Sequence, residues 1–578
     1  MTTHFRRLCL DRNGVYPSYV TQDFPSLGFI NFFIRLFFEN FDPILPIYNT
    51  KVANMAEHWI LALSVSAIGS QYADAEELSR CVVPLHEFLR RALAVEVESG
   101  SPSYSSLPLA EALVLSQIGM MYYGSERLRS VAKARRGILS DIVNDMGYWE
   151  PAQDHLQPAG QEPGLSLESM WRHWLLAEAR RRLAYAIWLV DCMAVYHFGL
   201  RPLFTLESAR WELPQDELWG APTAEEWFLK YKSHERNPSL MCAVHTLFLS
   251  RQMKADLGEY SNLLLLHGVY QEIFKVKDFF SRELSTWTPS VPQMGNGSGA
   301  APETTSGLAL QRHSPFEKWR SAAMDCVDVL HWAANGVVAK LQGAEHATVL
   351  HLQFSRVVLW SPYEKVQELA AYLASLTESP GRHAGEVPSV EGAIQAESEV
   401  LQWAQMDEHK ARLAALHCGC FFWHVRRYSC KAFYEPVSVF LATLVLWAYS
   451  VYAPRAPLPY REGEGDDAQG IPNPTFVHLD RPCDDEMVQF FVRSGRPSVM
   501  GAYVAGVGNI YEPSGPAGIL REGRKLLVAV STAWGRTAEY LRVLKAVERH
   551  SMECHSKTGG AFVQEPSDNG GINATPLS

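Results

Sequence analysis

The densest group of metal-ligating residue types lies in the stretch HCGCFFWHVRRYSC, at positions 417–430. Zinc is bound in proteins by cysteine and histidine side chains that converge on one point, usually about four of them. Cys418 and Cys420 are two residues apart, and on a helix this spacing directs their side chains about 200° apart around the axis. Neither a six-cysteine cluster nor a Cys-x2-Cys followed by paired histidines occurs in the sequence. The pattern therefore predicts core thiols and a capping histidine.

The adjacent acids Asp484 and Asp485 suggest a second chemistry, the binding of magnesium and a diphosphate. That chemistry needs several carboxylates around one metal cluster, and the third acid of a DDxxD pattern is replaced by Val488. Asn144-Asp145 lacks the serine and glutamate that would complete the other such motif. We expect Asp484 and Asp485 in the first turn of a helix, where the helix dipole favours negative charge. A helical metabolic enzyme of the terpene-cyclase type remains an alternative.

Other catalytic patterns are equally incomplete. Gly506-Val507-Gly508 is a lone GxG without a third glycine or a preceding strand pattern, and neither a Walker A motif nor a GxSxG nucleophile elbow is present. With twenty histidines in the chain, accidental His and Asp neighbours are expected, so His197 and His351 are given no catalytic role. The sequence predicts no catalytic residues, no cofactor and no enzyme activity.

The most strongly patterned element is the stretch Trp171–Trp227, which begins with a helix. Apolar residues recur there at helical spacing, and this predicts a helix with one side facing the core; they are Leu176, Ala179, Leu183, Ala186, Ile187, Val190 and Ala194. At least one of Arg180, Arg181 and Arg182 must lie at the edge of this apolar stripe. Glu178 stands four residues before Arg182, which is the favourable order for a helical ion pair. We prefer that ion pair to a phosphate or DNA site.

A tryptophan-rich loop follows this helix, which is predicted to end at Gly199 and Pro202. The loop is too apolar to be solvated, so we expect it to pack over a groove; its apolar residues are Leu213, Pro214, Leu218, Trp219, Pro222 and Trp227. A groove for a protein partner or a small effector would be lined by Trp188, Trp211, Trp219 and Trp227.

The rest of the chain is also helical in pattern, since alternating β-branched runs bounded by turn residues are missing. An aromatic helix starts at Leu27 and ends at Asp42-Pro43, and Trp59–Tyr72 is a buried helix whose small residues permit close packing. The predicted fold class is all-α, a large multi-helix array with long flexible insertions. The predicted segments are a flexible arm (1–25), a first helical half (26–285), a disordered linker (286–315), a second helical part (316–453), an acidic, proline-rich loop (454–475), a C-terminal helical part (476–553) and a disordered tail (554–578).

Composition limits the function classes. The 578 residues carry a formal net charge of −11 without a long basic run, which disfavours a chain that grips nucleic acid unaided. Ten scattered cysteines indicate reduced thiols rather than a disulfide framework. The apolar stretch 437–453 is at the short limit for a membrane span, and a buried helix is the better interpretation. No membrane association is predicted.

Three blocks of sequence resemble the regulatory, or middle homology, domain of fungal-specific transcription factors, in the version found beside two-Cys two-His zinc fingers. The first block is Phe38 to Pro43 with the small-residue helix after it. The second runs from the tryptophans before Glu178 through Arg180–Arg182, Asp191 and Pro202 to Trp227. The third contributes Asp480, Asp484, Asp485, Arg493, Gly495, Leu520, Gly523, Leu526, Leu527, Trp534 and Gly535. Together the blocks cover most of residues 27–548.

The resemblance implies a nuclear transcriptional regulator of a pathway or a biosynthetic gene cluster. It also implies a zinc module for DNA binding, whose ligands this sequence lacks, so DNA would be reached only through a partner or a missing module. Co-regulator proteins, a small-molecule effector and a homodimer are further expectations. A non-catalytic interaction scaffold remains an alternative.

Overall fold

A computed structural model describes residues 1–11, 18, 24–74, 76–99, 106–145, 166–281, 306–340, 347–377, 388–454, 475–530, 534 and 537–555. The chain divides into two compact units. Unit 1 comprises Met1–Leu359, His424–Ser438 and Val528–Thr537, and unit 2 comprises Trp360–Trp423, Val439–Leu527 and Ala538–Ser578. Each unit draws on separated stretches of the chain, whereas the segments predicted from the sequence are consecutive, and their boundaries remain a prediction.

The described residues are mostly helical, which confirms the all-α fold class. The helices are α1 (Thr2–Phe5), α2 (Leu27–Asn40), α3 (Trp59–Gly69), α4 (Glu76–Ser79), α5 (Val82–Ser99), α6 (Leu107–Ile118), α7 (Glu126–Ala134), α8 (Ile138–Asp145), α9 (Leu167–Phe198), α10 (Asp216–Trp219), α11 (Ala224–Ser233), α12 (Leu240–Ser250), α13 (Glu259–Ser281), α14 (Ser306–Lys340), α15 (Ala347–Trp360), α16 (Tyr363–Thr377), α17 (Val390–Met406), α18 (Glu408–Tyr428), α19 (Glu435–Tyr452), α20 (Asp485–Ser494), α21 (Gly515–Val530) and α22 (Thr537–His555). Short π-helical turns at Arg6–Leu10 and Gly119–Tyr123 and 3-10 turns at Ser70–Tyr72 and Leu206–Ser208 complete them.

In unit 1, the aromatic helix α2 packs closely on α3. Phe33 and Phe37 of α2 are fully buried. A Cβ atom added at Gly69 would lie 1.9 Å from the carbonyl oxygen of Phe33, a distance that no side chain could adopt. The close approach expected from the small residues of this helix is therefore present.

The structure of the first residues differs from the prediction of a flexible arm over residues 1–25. Thr2–Leu10 is helical, and Phe5, Leu8 and Cys9 are buried. The prediction missed these anchors because polar and basic neighbours surround them and dilute the apolar pattern. Within the predicted arm, residues 12–17 and 19–23 lie outside the described residues.

Unit 2 contains a small three-stranded sheet in addition to its helices. Its strands are β1 (Phe476–His478), β2 (Gly501–Val504) and β3 (Gly508–Asn509). β1 pairs with β2 in parallel, with Val477 opposite Ala502, and β2 pairs with β3 antiparallel. The strands are two to four residues long, too short to give a detectable alternating pattern, so the sequence predicts no sheet here.

The remaining segment predictions and the apolar helix α19 can be compared with the described residues. Of the predicted linker 286–315, residues 286–305 lie outside them, whereas α14 begins at Ser306 within it. The acidic loop 454–475 and the tail 554–578 lie outside them except at their edges. The apolar helix α19 is long enough to span a membrane by length and composition, but 94% of it is buried in the protein. This burial agrees with the interpretation of a core helix.

Candidate functional site

The candidate site is built on α9, which is more deeply buried than the sequence suggests. Ser166 caps its first turn by accepting a hydrogen bond from the Ser169 amide, and Gly199 ends it in the left-handed conformation at φ 64°. Every residue from Arg182 to Ala194 is buried. The prediction of a helix with only one buried side was therefore wrong for this part, and a helix enclosed on all sides tolerates the nearly continuous apolar run found here.

Arg182 is the centre of a polar network inside the protein, and only 1% of its surface is exposed. Its Nε atom donates to Glu178 Oε1 at 3.1 Å, which confirms the ion pair expected from the sequence. Its Nη1 atom donates to the Pro46 carbonyl at 3.2 Å, and its Nη2 atom donates to Asp216 Oδ1. The guanidinium also lies over the Trp219 ring, 4.6 Å from its centroid. The charge is satisfied inside the protein, so Arg182 is not placed to bind a phosphate.

Glu178 and Asp216 attach the loop after α9 to the helix itself. Glu178 Oε1 also accepts from the Gln215 amide at 2.9 Å, and Asp216 Oδ2 accepts from the Tyr260 amide at 3.3 Å. The Tyr260 hydroxyl in turn donates to the Arg182 carbonyl at 3.2 Å. Because buried charges are stable only when they are paired and hydrogen-bonded, these bonds fix the path of the loop.

An apolar cluster holds the other end of the loop against the start of α9. Trp171, Trp174 and Trp227 are nearly fully buried within it, and the rings of Trp174 and Trp227 lie 5.9 Å apart. Lys51 closes the cluster: its Nζ atom lies 4.5 Å from the centre of the Trp171 ring and donates to the Ala221 carbonyl at 3.0 Å. The tryptophan loop is thus a packed layer of unit 1.

The four tryptophans predicted to line one groove differ in their environments. Trp188 and Trp227 are 3% and 2% exposed and act as packing residues. Trp211 and Trp219 are partly exposed. The Trp211 carbonyl accepts a hydrogen bond from the Tyr185 hydroxyl at 2.6 Å, whereas the Trp219 ring meets Arg182. The groove for a partner stays a prediction. Of the four tryptophans, Trp211 and Trp219 have surface that a partner could contact.

This difference supports a matched prediction for Trp219 and Trp227. Trp227→Ala is expected to lower the free energy of unfolding by about 3–5 kcal/mol, because it leaves a cavity in the packed layer. Trp219→Ala removes a partly exposed ring stacked on Arg182, and we expect a loss below about 2 kcal/mol. Chemical denaturation of both variants measures the difference. Equal losses would contradict the distinct environments seen for the two rings.

A second buried carboxylate, Asp191, joins α9 to the chain that follows it. Its Oδ1 atom accepts from Arg136 Nε at 3.1 Å, and its Oδ2 atom accepts from the amides of Leu203 and Phe204 at 2.8 and 3.2 Å. Burial raises the pKa of Asp191, and Arg136 opposes that rise. The residues after α9 are therefore ordered by a charged hydrogen-bond acceptor.

A pair of acids beside this network, the half-buried Asp42 and the buried Glu111, was not expected from the sequence. Burial raises the pKa of Asp42 to about 7, although the Arg182 charge lowers it, and burial together with Asp42 raises the pKa of Glu111 to about 8. Within the part of the chain that the structure describes, Asp42 Oδ1 and Glu111 Oε2 find no hydrogen-bond partner. The available signal was a single charged residue, Glu111, in the largely apolar helix α6.

Residues tested for metal binding or catalysis occupy structural positions. Cys418 lies in α18 and is fully buried, and a Cβ atom at Gly419 would lie 2.3 Å from the Leu479 carbonyl oxygen. Among the described residues, no three His, Cys, Asp or Glu side chains are grouped to hold a metal. The zinc module that the resemblance implies therefore stays an expectation. His197 is buried and contacts the Tyr122 hydroxyl at 3.0 Å.

The acid pair and the GxG sequence are also accounted for locally. Asp484 is the N-cap of α20 and accepts from the Glu486 amide at 2.8 Å, and Asp485 opens the helix. These positions agree with the first-turn expectation. Gly506-Val507-Gly508 follows strand β2, contrary to the expectation of no preceding strand. It forms the hairpin turn into β3, with φ of 81° and 92° at the two glycines.

Comparison with known proteins shows what the site-bearing region is similar to. Residues 34–294 match the fungal specific transcription factor domain. This range contains α9, the tryptophan loop and both acids of the Asp42 and Glu111 pair. The resemblance inferred from the sequence is confirmed.

Several relatives carry the names of transcription factors. A "Transcription factor" of Gibberella fujikuroi is 27% identical over 278 residues, covering 47% of this chain and 36% of the relative. The "Nicotinate catabolism cluster-specific transcription factor" of Emericella nidulans is 24% identical over 460 residues, covering 75% of this chain and 49% of the relative. The "Zinc finger protein klf1" of Schizosaccharomyces pombe is 22% identical over 244 residues, covering 42% and 31%. The chain spans less than half the length of these relatives, and no solved structure matches it.

Proposed function

We propose that this chain is a transcriptional regulator that acts in the nucleus and controls the genes of a pathway or a biosynthetic cluster. The observation that carries the proposal is the match of residues 34–294 to the fungal specific transcription factor domain. The relative from Emericella nidulans is named as cluster-specific, and this name supports the pathway-level role. The family and these relatives are transcription factors, which are generally not enzymes.

The mechanism that we propose depends on protein partners rather than on direct DNA binding by the described residues. Binding to DNA requires cationic side chains that neutralise phosphates, yet the chain has a net charge of −11. Arg182, the arginine buried most deeply on α9, is committed to Glu178 and Asp216. DNA would therefore be reached through a partner protein or a zinc module, while co-regulators, a small effector or a second copy would bind the helical surface.

A tethering experiment tests the regulatory role directly. The chain is fused to an unrelated DNA-binding domain and expressed in a fungal host that carries a reporter with the matching operator. We expect reporter output to change relative to the DNA-binding domain alone, and the sign of the change distinguishes activation from repression. The Trp227→Ala fusion is the control, since its lower stability should weaken the effect. An unchanged reporter with folded wild-type fusion, together with unchanged transcripts in a deletion strain, would refute the proposal and leave an interaction scaffold.

An electrophoretic mobility assay separates the partner-dependent mechanism from direct binding. The purified chain alone is expected not to shift promoter DNA at physiological salt. A specific shift without a partner or an added domain would contradict this mechanism, while leaving the regulatory role intact.

The enzyme alternative has its own test at Asp484 and Asp485. Incubation of the purified chain with magnesium and an allylic diphosphate is expected to give no product. Turnover that is lost in the D484A/D485A double variant would favour the terpene-cyclase type of enzyme and overturn the regulatory proposal.

A further inference from the structure

The Thr2–Leu10 segment lies on unit 1 as a short amphipathic helix. Its buried side chains, Phe5, Leu8 and Cys9, follow the i, i+3, i+4 spacing by which a helix inserts one face into a groove. Arg6, on the opposite face, is exposed. The segment therefore has the pattern of a docked helical ligand, although it is part of the same chain.

The groove that receives this segment is aromatic and lies on α3 and α5. Phe88 of α5 meets the Phe5 ring edge-on at 5.3 Å between centroids. Trp59, the first residue of α3, stacks on His4 at 4.6 Å and lies 6.2 Å from Phe88. Phe88 has no exposed surface while the segment is in place. The floor of this groove is apolar, and Phe24 also packs on it, 5.9 Å from Phe88 and 5.3 Å from Phe5. Departure of the segment would uncover the part of the floor that Phe24 does not cover.

One end of the groove is polar and sets the direction of the bound helix. Arg91 Nη1 donates to the Leu8 carbonyl at 2.8 Å, and Arg91 Nε donates to Glu87 Oε1 at 2.8 Å. The guanidinium is only 1% exposed. Carbonyls in the last turn of a helix lack intrahelical donors and carry the negative end of its dipole. Arg91 therefore fits the C-terminal turn of a helix.

We propose that this groove is a helix-binding site that the Thr2–Leu10 segment covers reversibly. The partner is a short amphipathic helix with an aromatic anchor at position i, apolar anchors at i+3 and i+4, and its C-terminal turn at Arg91. Reversibility follows from the small number of anchors. Three buried side chains hold the segment in the groove, and the conformational entropy lost on ordering the segment opposes their burial. The inference goes beyond the proposed function and does not rest on it.

Cys9 provides a built-in probe of this exchange, and Cys326 provides a matched control. Both thiols are buried, and burial raises the pKa of each to about 11. Their reactivities should therefore differ only through local opening. In the full-length chain under native conditions, we expect alkylation of Cys9, followed by mass spectrometry, to be at least ~10-fold faster than alkylation of Cys326. The Phe5→Ala substitution should accelerate the alkylation of Cys9 and leave that of Cys326 unchanged.

A peptide with the sequence of residues 1–11 and C9S then tests binding in trans. It is expected to accelerate Cys9 alkylation further by occupying the groove, whereas a scrambled peptide of the same composition should have no effect. The Phe5→Ala chain should bind the labelled peptide more tightly than the wild type in an anisotropy titration.

Two results would overturn the proposal. Equal alkylation rates at Cys9 and Cys326 in the wild-type chain would mean that the segment leaves only on global unfolding. A failure of the C9S peptide to change the rate, or an equal effect of the scrambled peptide, would mean that the contact is a fixed part of the fold. Because both readouts use the wild-type chain, they hold even if Phe5→Ala does not fold.

Discussion

Replacing Arg182 with methionine is expected to lower the free energy of unfolding by about 3–5 kcal/mol, the usual loss when one partner of a buried ion pair is removed. The methionine preserves much of the apolar stem but leaves Glu178 and Asp216 without their shared cation. It also removes the charge that lowers the pKa of Asp42, so this carboxyl should titrate above about 7 in the variant. Urea unfolding followed by circular dichroism measures the loss of stability.

Two arginine variants make this test specific. Arg180→Met changes an exposed arginine on the same helix, and its effect should stay within about 0.5 kcal/mol. Arg182→Lys keeps the charge but cannot reproduce the several directed donors and the stacking on Trp219, so it should recover only part of the stability. A loss at Arg180 equal to that at Arg182 would show that the network does not carry the stability of the loop.

Replacing Glu111 with glutamine is expected to stabilise the protein, and more strongly as the pH rises. An unfolded glutamate titrates near about 4.3, whereas the pKa of Glu111 in the fold is about 8. Between these values the unfolded state has lost the proton that the folded state retains, so the wild-type chain loses stability as pH increases. Glutamine resembles the protonated acid and does not incur this loss.

The Glu111→Gln gain should be small near pH 4, grow up to about pH 8 and then level off, reaching at least about 2 kcal/mol. Thermal unfolding across this pH range measures the gain. Asp42→Asn is the companion variant: removing the Asp42 charge should lower the pKa of Glu111, since that charge contributes to its rise. A pH-independent effect of Glu111→Gln would contradict the raised pKa.

Both predictions concern one region, in which α9, the tryptophan loop and the buried acids meet within the family-matched residues. The raised pKa values of Asp42 and Glu111 disfavour folding as the pH rises, while Arg182 and its carboxylates hold the loop in place. Stability in this region therefore depends on charge balance as well as on apolar packing.

The local features of this protein follow from its sequence. The apolar spacing of α9 and its terminal glycine act over a few residues, so they predict the helix and where it ends. The Glu178 to Arg182 pair is equally local, because residues four apart on a helix are always neighbours. For the same reason Asp484 could be placed at a helix start.

Contacts between distant residues were decided only by the tertiary structure. Arg182 donates a hydrogen bond to Asp216, 34 residues away in the sequence, and Arg91 donates one to the Leu8 carbonyl, 83 residues away. Periodicity shows which face of a helix is apolar, but it does not show which helix will cover that face. The enclosure of α9 on all sides, the docking of Thr2–Leu10 and the meeting of Asp42 with Glu111 all depend on that choice, because burial and pKa are set by the neighbours that folding brings together.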